Sequence, residues 1–321
     1  MFMRKLMIYL FLFVWVTVVS AQNMDTGQSG QLSTNSSPVL GEVPKAEGYG
    51  NSQLSTQEFG LVLSGGGALG LAHIGAIKAL EEYGIEPKYV AGTSMGAIIG
   101  VMYAAGYSSD EIMQIVKEQR LYKVGRLITW QSALRNKGMS TQKTLLQELS
   151  EFIPHNSFDS LERKFMVCVT NVETGNAVYR SDGGYLHEYV AASASIPALF
   201  EPIEIDSVRY VDGGVVDNLP VRALRMQFGN PWMKVIAVDV LPFIDNYNAK
   251  HSLDMAAWAL RLFQQKNAKP NRAKADCLID CWALTEYHEF DFKHYEEIYL
   301  YGYNAMKEYI EDNPFLFKYE H

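Results

Sequence analysis

Cysteine is scarce in this chain, and the little there is makes no framework. Cys168, Cys277 and Cys281 are the whole complement among 321 residues. Cys277 and Cys281 lie in a stretch that reads as a strand, where an extended rise sets their Cα atoms about 13 Å apart. A disulfide needs a separation under roughly 7 Å, so the three cysteines are read as buried free thiols. No Cys-x-x-Cys or His-x-x-x-His spacing occurs, which removes the common signatures of a zinc site. Positive charge is also in short supply, with 28 Lys and Arg against 36 Asp and Glu, a net charge of −8. Such a chain is a poor partner for nucleic acid and gains nothing from anionic lipid headgroups. If it works at a membrane, apolar contact must supply the attraction.

Long apolar runs are few. Leu6–Val19 is one, preceded by Arg4 and Lys5 and followed by Ser20 and Ala21. A basic start, an apolar centre and a small-residue end describe a secretory signal peptide over residues 1–21. The expected destination is the periplasm, the outer membrane or the medium. A retained anchor is the alternative, but a run of 14 residues is short of the roughly 20 that a bilayer span requires. Loss of Arg4 and Lys5 would leave the mature chain still more acidic. No cysteine follows Ala21, so a lipid-modified N-terminus is not indicated. Residues 22–57 are rich in Ser, Thr, Gln, Asn and Gly and read as a disordered polar linker. Residues 58–321 are then one domain, long enough to bury a large core.

Within that domain, strand-like and helix-like segments alternate. Phe59–Leu63 reads as a strand and Leu69–Tyr83 as a helix, with Leu71, Ile74, Ile77 and Leu80 on one face. Lys88–Ala91 is a strand, Met95–Ala105 a small-residue helix, and Ser108 to Glu111 a capping sequence for the next helix. A helix is expected over Thr141–Phe152, and Phe165–Val172 with Ala177–Arg180 makes a hairpin. His187–Ser193 and the stretch from Leu219 read as helices, Ile203–Val211 and Val235–Val240 as strands. Asp254–Lys266, a strand near Leu278–Leu284 and a helix over His294–Ile310 complete the order. The class is α/β with a mostly parallel sheet. The tyrosines near the C-terminus fall on an ordinary amphipathic stripe with Gly302 and Met306, and read as core packing rather than as a membrane anchor.

Two glycine motifs stand one strand–helix unit apart. Gly65-Gly66-Gly67-Ala68-Leu69-Gly70 follows the first strand; Gly92-Thr93-Ser94-Met95-Gly96 follows the second. The first resembles a dinucleotide fingerprint, which demands an acidic residue at the end of the second strand. That strand ends Val90-Ala91-Gly92-Thr93-Ser94, with no acid, so the nucleotide reading fails. The second motif is a nucleophile elbow, in which a serine on a tight strand-to-helix turn presents its hydroxyl. Together they set backbone N–H donors beside an exposed serine, the equipment of an acyl hydrolase. A histidine base is hard to place. His251, His288, His294 and His321 follow the candidate acids, but none lies in a glycine-rich loop after a strand, and His73 falls inside a helix. Two Asp-Gly-Gly turns offer acids instead, at Asp182 and at Asp212-Gly213-Gly214. The second is the richer, at a strand end and on a loop running to Asn218-Leu219-Pro220.

These blocks, with Ala191–Pro202, make the chain similar to the patatin-like phospholipase family. The resemblance covers residues 59–222 in family order. It implies a three-layer sandwich with a mostly parallel central sheet and helices on both faces. It further implies a lipid acyl hydrolase using Ser94 as nucleophile and Asp212 as base. The oxyanion hole would be the backbone of Gly65, Gly66 and Gly67, with Gly70, Gly92, Gly96, Gly213 and Gly214 as motif glycines. No metal or cofactor is implied; the partner is a lipid ester at a membrane or micelle surface. One departure stands out. Leu69 occupies a position where the family often carries Arg or Lys, so a cation near the reaction centre is missing. A lipid-binding protein that kept the fold without turnover is the alternative.

Overall fold

The computed structural model describes residues 58–118, 138–229, 232–241, 243 and 252–317. The segments expected as signal peptide (1–21) and polar linker (22–57), with His251 and His321, lie outside these residues. The first strand, β1 (Phe59–Leu63), runs through the centre of the sheet and is buried on both faces. Its unbroken apolar run suits a parallel strand covered on each side. β2 (Tyr89–Thr93) pairs with it in parallel, and β3 (Lys164–Asn171) pairs in parallel with β2. β4 (Ala177–Arg180) is antiparallel to β3. β5 (Ile203–Ile205) and β6 (Val208–Asp212) form an antiparallel pair, and β6 joins β3. On the other side of β1 come β7 (Lys234–Asp239) and β8 (Cys277–Asp280), both parallel.

The helices are α1 (Ala72–Glu82), α2 (Met95–Ala104), α3 (Ser109–Lys117), α4 (Gly138–Phe152), α5 (Leu186–Ser193), α6 (Val221–Phe228), α7 (Ser252–Arg272), α8 (Tyr295–Asp312) and α9 (Pro314–Phe317). Strand alternation sorts them into layers. Leu61 and Leu63 face a core shared with Ile74, Ile77 and Leu80 of α1, Ile98 of α2 and Ile298 of α8. Val62 faces the opposite layer, with Leu224 of α6 and Val235 and Ala237 of β7. The result is the expected three-layer sandwich.

Four segments differ from the sequence reading, one of them α7, expected over Asp254–Lys266 and observed over Ser252–Arg272 with Pro270 inside it. The single strand expected over Ile203–Val211 is a hairpin, because Asp206 and Ser207 both take left-handed backbone (φ 51° and 65°). Tight hairpins want that conformation at both turn positions, usually from Asn-Gly or Asp-Gly; Asp-Ser carries little signal. The helix expected from Leu69 begins as a 3-10 turn over Gly67–Leu71. The last strand stops at Asp280 rather than near Leu284, giving way to a 3-10 turn at Trp282–Glu286. The three cysteines are free and buried, as expected.

The C-terminal stripe packs as core. Ile298, Gly302, Met306 and Ile310 of α8 are buried, and α8 lies so close to α1 that a Cβ on Gly302 would fall on the Ala72 carbonyl. The reciprocal position is Gly75, where a Cβ would lie 2.6 Å from the Tyr303 nitrogen. In an isolated helix Gly→Ala is stabilising by about 1 kcal/mol. Here Gly302→Ala should reverse that sign and destabilise by about 1–3 kcal/mol through overpacking. The urea midpoint of the variant against the wild type measures it.

Candidate active site

Ser94 sits on the turn from β2 into α2 with φ 53° and ψ −123°, a conformation that L residues avoid. The turn is held by close backbone approach on either side. A Cβ on Gly96 would lie 2.6 Å from the Ser64 oxygen, and one on Gly92 would lie 2.6 Å from the Ala97 Cα. Glycine at both positions lets α2 start against the ends of β1 and β2. All ten residues of α2 are buried, and its N-terminus opens at Ser94, so the positive end of the helix dipole faces the serine. The Ser94 N–H donates to Ser193 Oγ at 2.9 Å, and the Ser193 hydroxyl donates to the Cys168 carbonyl at 2.7 Å. Ser94 is only 5% exposed, more enclosed than the sequence implied. The glycine loop closes over it: a Cβ on Gly65 would come within 3.1 Å of the Ser94 Cβ.

Asp212 reaches the same place along β3. Cys168 pairs with Thr93 of β2 and with Tyr179 of β4, so β2 and β4 take opposite edges of β3. Val169 pairs with Val178 of β4 and with Asp212 of β6. β6 therefore takes up the edge that β2 leaves. Ser94 departs just past Cys168, and Asp212 arrives opposite Val169. The hairpin at Asp206–Ser207 is what turns β6 onto that edge.

The Asp212 carboxyl is 1% exposed. Oδ1 accepts the Gly214 N–H at 2.7 Å, while Oδ2 has no aligned partner among the described residues. Burial raises its pKa to about 7; the Gly214 N–H and the nearby Ser94 hydroxyl oppose the rise. Serine and carboxyl are thus close enough to influence each other without a fully formed bond, a common state of an unliganded catalytic pair. Asp182 is different, with a side chain 74% exposed beside Arg180. No described histidine bonds Ser94 or Asp212. His73 is buried and donates from Nε2 to the Ser64 carbonyl at 2.8 Å, and burial lowers its pKa to about 4.

The glycine loop follows β1 directly. Gly65 has its N–H committed to the Asn218 carbonyl at 3.3 Å, and its own carbonyl accepts Asn218 Nδ2 at 3.3 Å. That leaves the N–H groups of Gly66 and Gly67 without an acceptor among the described residues, at the mouth of the 3-10 turn. Gly67 needs its left-handed backbone (φ 56°), and a Cβ there would strike the Glu289 carbonyl. Gly70 lets the turn rest on the elbow, where a Cβ would lie 2.8 Å from Met95 Cβ, and Gly213 lies against Cys168. Leu69 is wholly buried in the core, so its side chain adds nothing to the loop's polar face.

Sequence reasoning missed the supports. Asn267 of α7 donates Nδ2–H to the Gly214 carbonyl and accepts the Asn218 N–H at Oδ1, both at 2.9 Å. Asn218 in turn holds Gly65, so one side chain ties the aspartate loop to the glycine loop. An asparagine inside a helix carries no such signal in the sequence. Ser193 was legible only as one residue of the Ala191–Pro202 block.

The fold and site define a class: a three-layer α/β protein with a serine–aspartate pair under a glycine loop. Within that class the chain belongs to the patatin-like phospholipase family, whose profile matches residues 61–225. Lysophospholipase nte1 of Emericella nidulans is 31% identical over 289 residues, which cover 81% of this chain and 18% of that protein. Lysophospholipase NTE1 of Yarrowia lipolytica is 35% identical over 192 residues, covering 58% and 13%. The chain thus spans under a fifth of the length of either relative. Among solved structures, VipD from Legionella pneumophila matches with TM-score 0.48 and 14% identity over 82% of this chain and 69% of that one.

The raised Asp212 pKa has two consequences. If the carboxylate is the base, turnover should rise with pH through about 7 and fall away below it. A carboxyl that is harder to ionise when folded lowers stability as pH climbs from its ordinary value near 4 to about 7. Asp212→Asn keeps the acceptor for Gly214 and loses that burden. It should abolish turnover yet raise Tm, by about 2–4 °C per kcal/mol recovered in a domain of this size. The gap from wild type should widen between pH 5 and pH 8 in thermal melts, and Asp182→Asn should change neither quantity.

Proposed function

We propose that this protein hydrolyses carboxylic esters of lipids through an acyl-enzyme on Ser94, with Asp212 as general base. The observation that carries the reading is the meeting of Ser94 and Asp212 on one edge of β3, in a water-poor setting, beside two open backbone N–H groups. The names of the two fungal relatives, both lysophospholipases, support the same reaction class.

The chemistry follows from the geometry. Ser94 Oγ attacks the ester carbonyl carbon while its proton passes to Asp212. The oxyanion that forms is met by the Gly66 and Gly67 N–H groups and by the start of α2; each such donor can contribute about 10²–10³ in rate. Collapse breaks the bond to the alcohol, which leaves with the proton held by Asp212. Water then attacks the acyl-serine, gives its proton to the same carboxylate, and the fatty acid departs with Ser94 restored. Asp212 suits both halves, since a pKa near the working pH lets it take and return a proton. Leu69 removes a side-chain cation but none of the backbone donors. That favours esters whose turnover does not depend on a phosphate contact at that position.

An active-site-directed fluorophosphonate should label the wild type, and Ser94→Ala should abolish the signal. A well-folded wild type that takes no label would falsify the hydrolase reading. Export belongs to the same proposal and rests on the order basic, apolar, small over residues 1–21. N-terminal sequencing of protein recovered outside the cytoplasm should begin at Gln22; a start at Met1 would sink it.

A further inference from the structure

Gln264 of α7 is 8% exposed, yet its amide makes no hydrogen bond to any described residue. Its neighbours at helical spacing are committed. Asn267 holds the Gly214 carbonyl and the Asn218 N–H, and Asn271 donates to Asp217 Oδ1 at 2.9 Å. The free amide reaches the aspartate loop. A Cβ on Gly214 would lie 2.6 Å from Gln264 Nε2, 2.7 Å from Asn218 Oδ1 and 3.0 Å from Asp212 Oδ1. Groups from α7, from the turn before α6 and from the end of β6 thus converge over one glycine. The same Asn218 oxygen borders the serine: a Cβ on Gly65 would lie 2.6 Å from it and 3.1 Å from the Ser94 Cβ. The hydrogen-bonding capacities at this point are complementary and unspent. Asp212 Oδ2 and Asn218 Oδ1 are sealed acceptors with no partner among the described residues. Asn218 Nδ2 donates to the Gly65 carbonyl, which identifies the amide oxygen as the orphan. Both neighbours of Gln264 Nε2 are acceptors, so an N–H faces them. Unpaired buried groups are costly, and this set calls for a small molecule that donates twice and accepts once. Water is that molecule.

We infer that Gln264, with Asn218 Oδ1, holds the water that releases the fatty acid from Ser94. The inference rests on the acyl-enzyme reading and names a residue for its second half. Water accepts an N–H bond from Gln264 Nε2, and donates to Asn218 Oδ1 and to Asp212 Oδ2. A lone pair is left for the acyl carbon. The water oxygen bonds that carbon and one of its protons passes to Asp212. The bond from carbon to Ser94 Oγ then breaks, and the serine takes the proton back. Acylation needs no such water, because the serine hydroxyl supplies both oxygen and proton. Gln264 therefore acts in one half of the cycle. Asn267 differs, since its bonds shape the aspartate loop and the glycine loop, which serve both halves.

A single-turnover experiment separates the halves, with full-length enzyme in excess over a radiolabelled p-nitrophenyl ester. Nitrophenol release reports acylation, and free fatty acid reports deacylation. Gln264→Met keeps the length of the side chain and removes the amide. Its nitrophenol release should match the wild type within about twofold, while fatty acid release slows about 100-fold. Acylated Ser94 should then accumulate in the intact-protein mass. Gln264→Ala leaves room for a second water in place of the amide and should lose less than Gln264→Met; a packing role would rank the two the other way. Because the amide has no partner in the chain, the Tm of Gln264→Met should equal or exceed that of the wild type. Both halves slowing together, or fatty acid release that stays at the wild-type rate, overturns the inference. So does a change in KM alone, which would make the amide a substrate contact. A wild type that releases no nitrophenol fails the hydrolase reading itself, and this inference with it. Acylation in all three proteins with equal deacylation fails the water site alone.

Discussion

Everything at the site depends on β3 lending a single edge to two strands in succession. β2 occupies it through Cys168 and then leaves as the Ser94 turn; β6 enters from the opposite direction at Val169 and ends in Asp212. Backbone pairing fixes position to within a residue, because a slip by one would put the side chain on the other face. A serine and an aspartate far apart in the chain are thereby set side by side by main-chain hydrogen bonds. Such placement is far stiffer than contact between two mobile side chains. The parallel half of the sheet supplies the serine and the antiparallel half supplies the carboxyl.

The local chemistry follows from how dry that junction is. Asp212 gives up most of its hydration and receives one firm hydrogen bond in return, from Gly214. The imbalance lifts its pKa to about 7, which disfavours the folded state at alkaline pH and brings the titration of the carboxyl to neutral pH. The same enclosure keeps His73 neutral and confines it to bracing the Ser64 carbonyl. Ser94 carries a second strained element, its left-handed backbone, which the glycine contacts at 92 and 96 impose. Both burdens are concentrated where the reaction would occur, and the large apolar layers around β1 offset them.

Helix α7 shows how such a site constrains its surroundings. Its polar residues turn inward because two loops need fixed partners, and the apolar residues are left outside as a consequence. Its open face then mixes Met255 and Phe263 with Lys266 and Lys269.

Much of this was legible in the chain itself. The alternation of strand and helix, the elbow at Ser94, the glycine run and the Asp-Gly-Gly turn are local patterns, and each reflects a short-range steric demand. The absence of an acid after the second strand was enough to dismiss the dinucleotide alternative. What stayed hidden depends on partners distant in sequence. The hairpin at Asp206–Ser207 has weak turn chemistry, and it forms because β3 offers an open edge for β6. Asn267 and Ser193 look like ordinary polar residues until the fold brings carbonyls and N–H groups to meet them. Gly65 illustrates the division: its type was determined by the need for close approach, but that its N–H is engaged by Asn218, leaving Gly66 and Gly67 open, was decided by packing. By itself the sequence determined which residues could do the chemistry, since their types and spacing obey local geometry. Only the tertiary structure decided which of them meet, which are buried, and hence which can hold or release a proton, since those depend on contacts across the whole sheet.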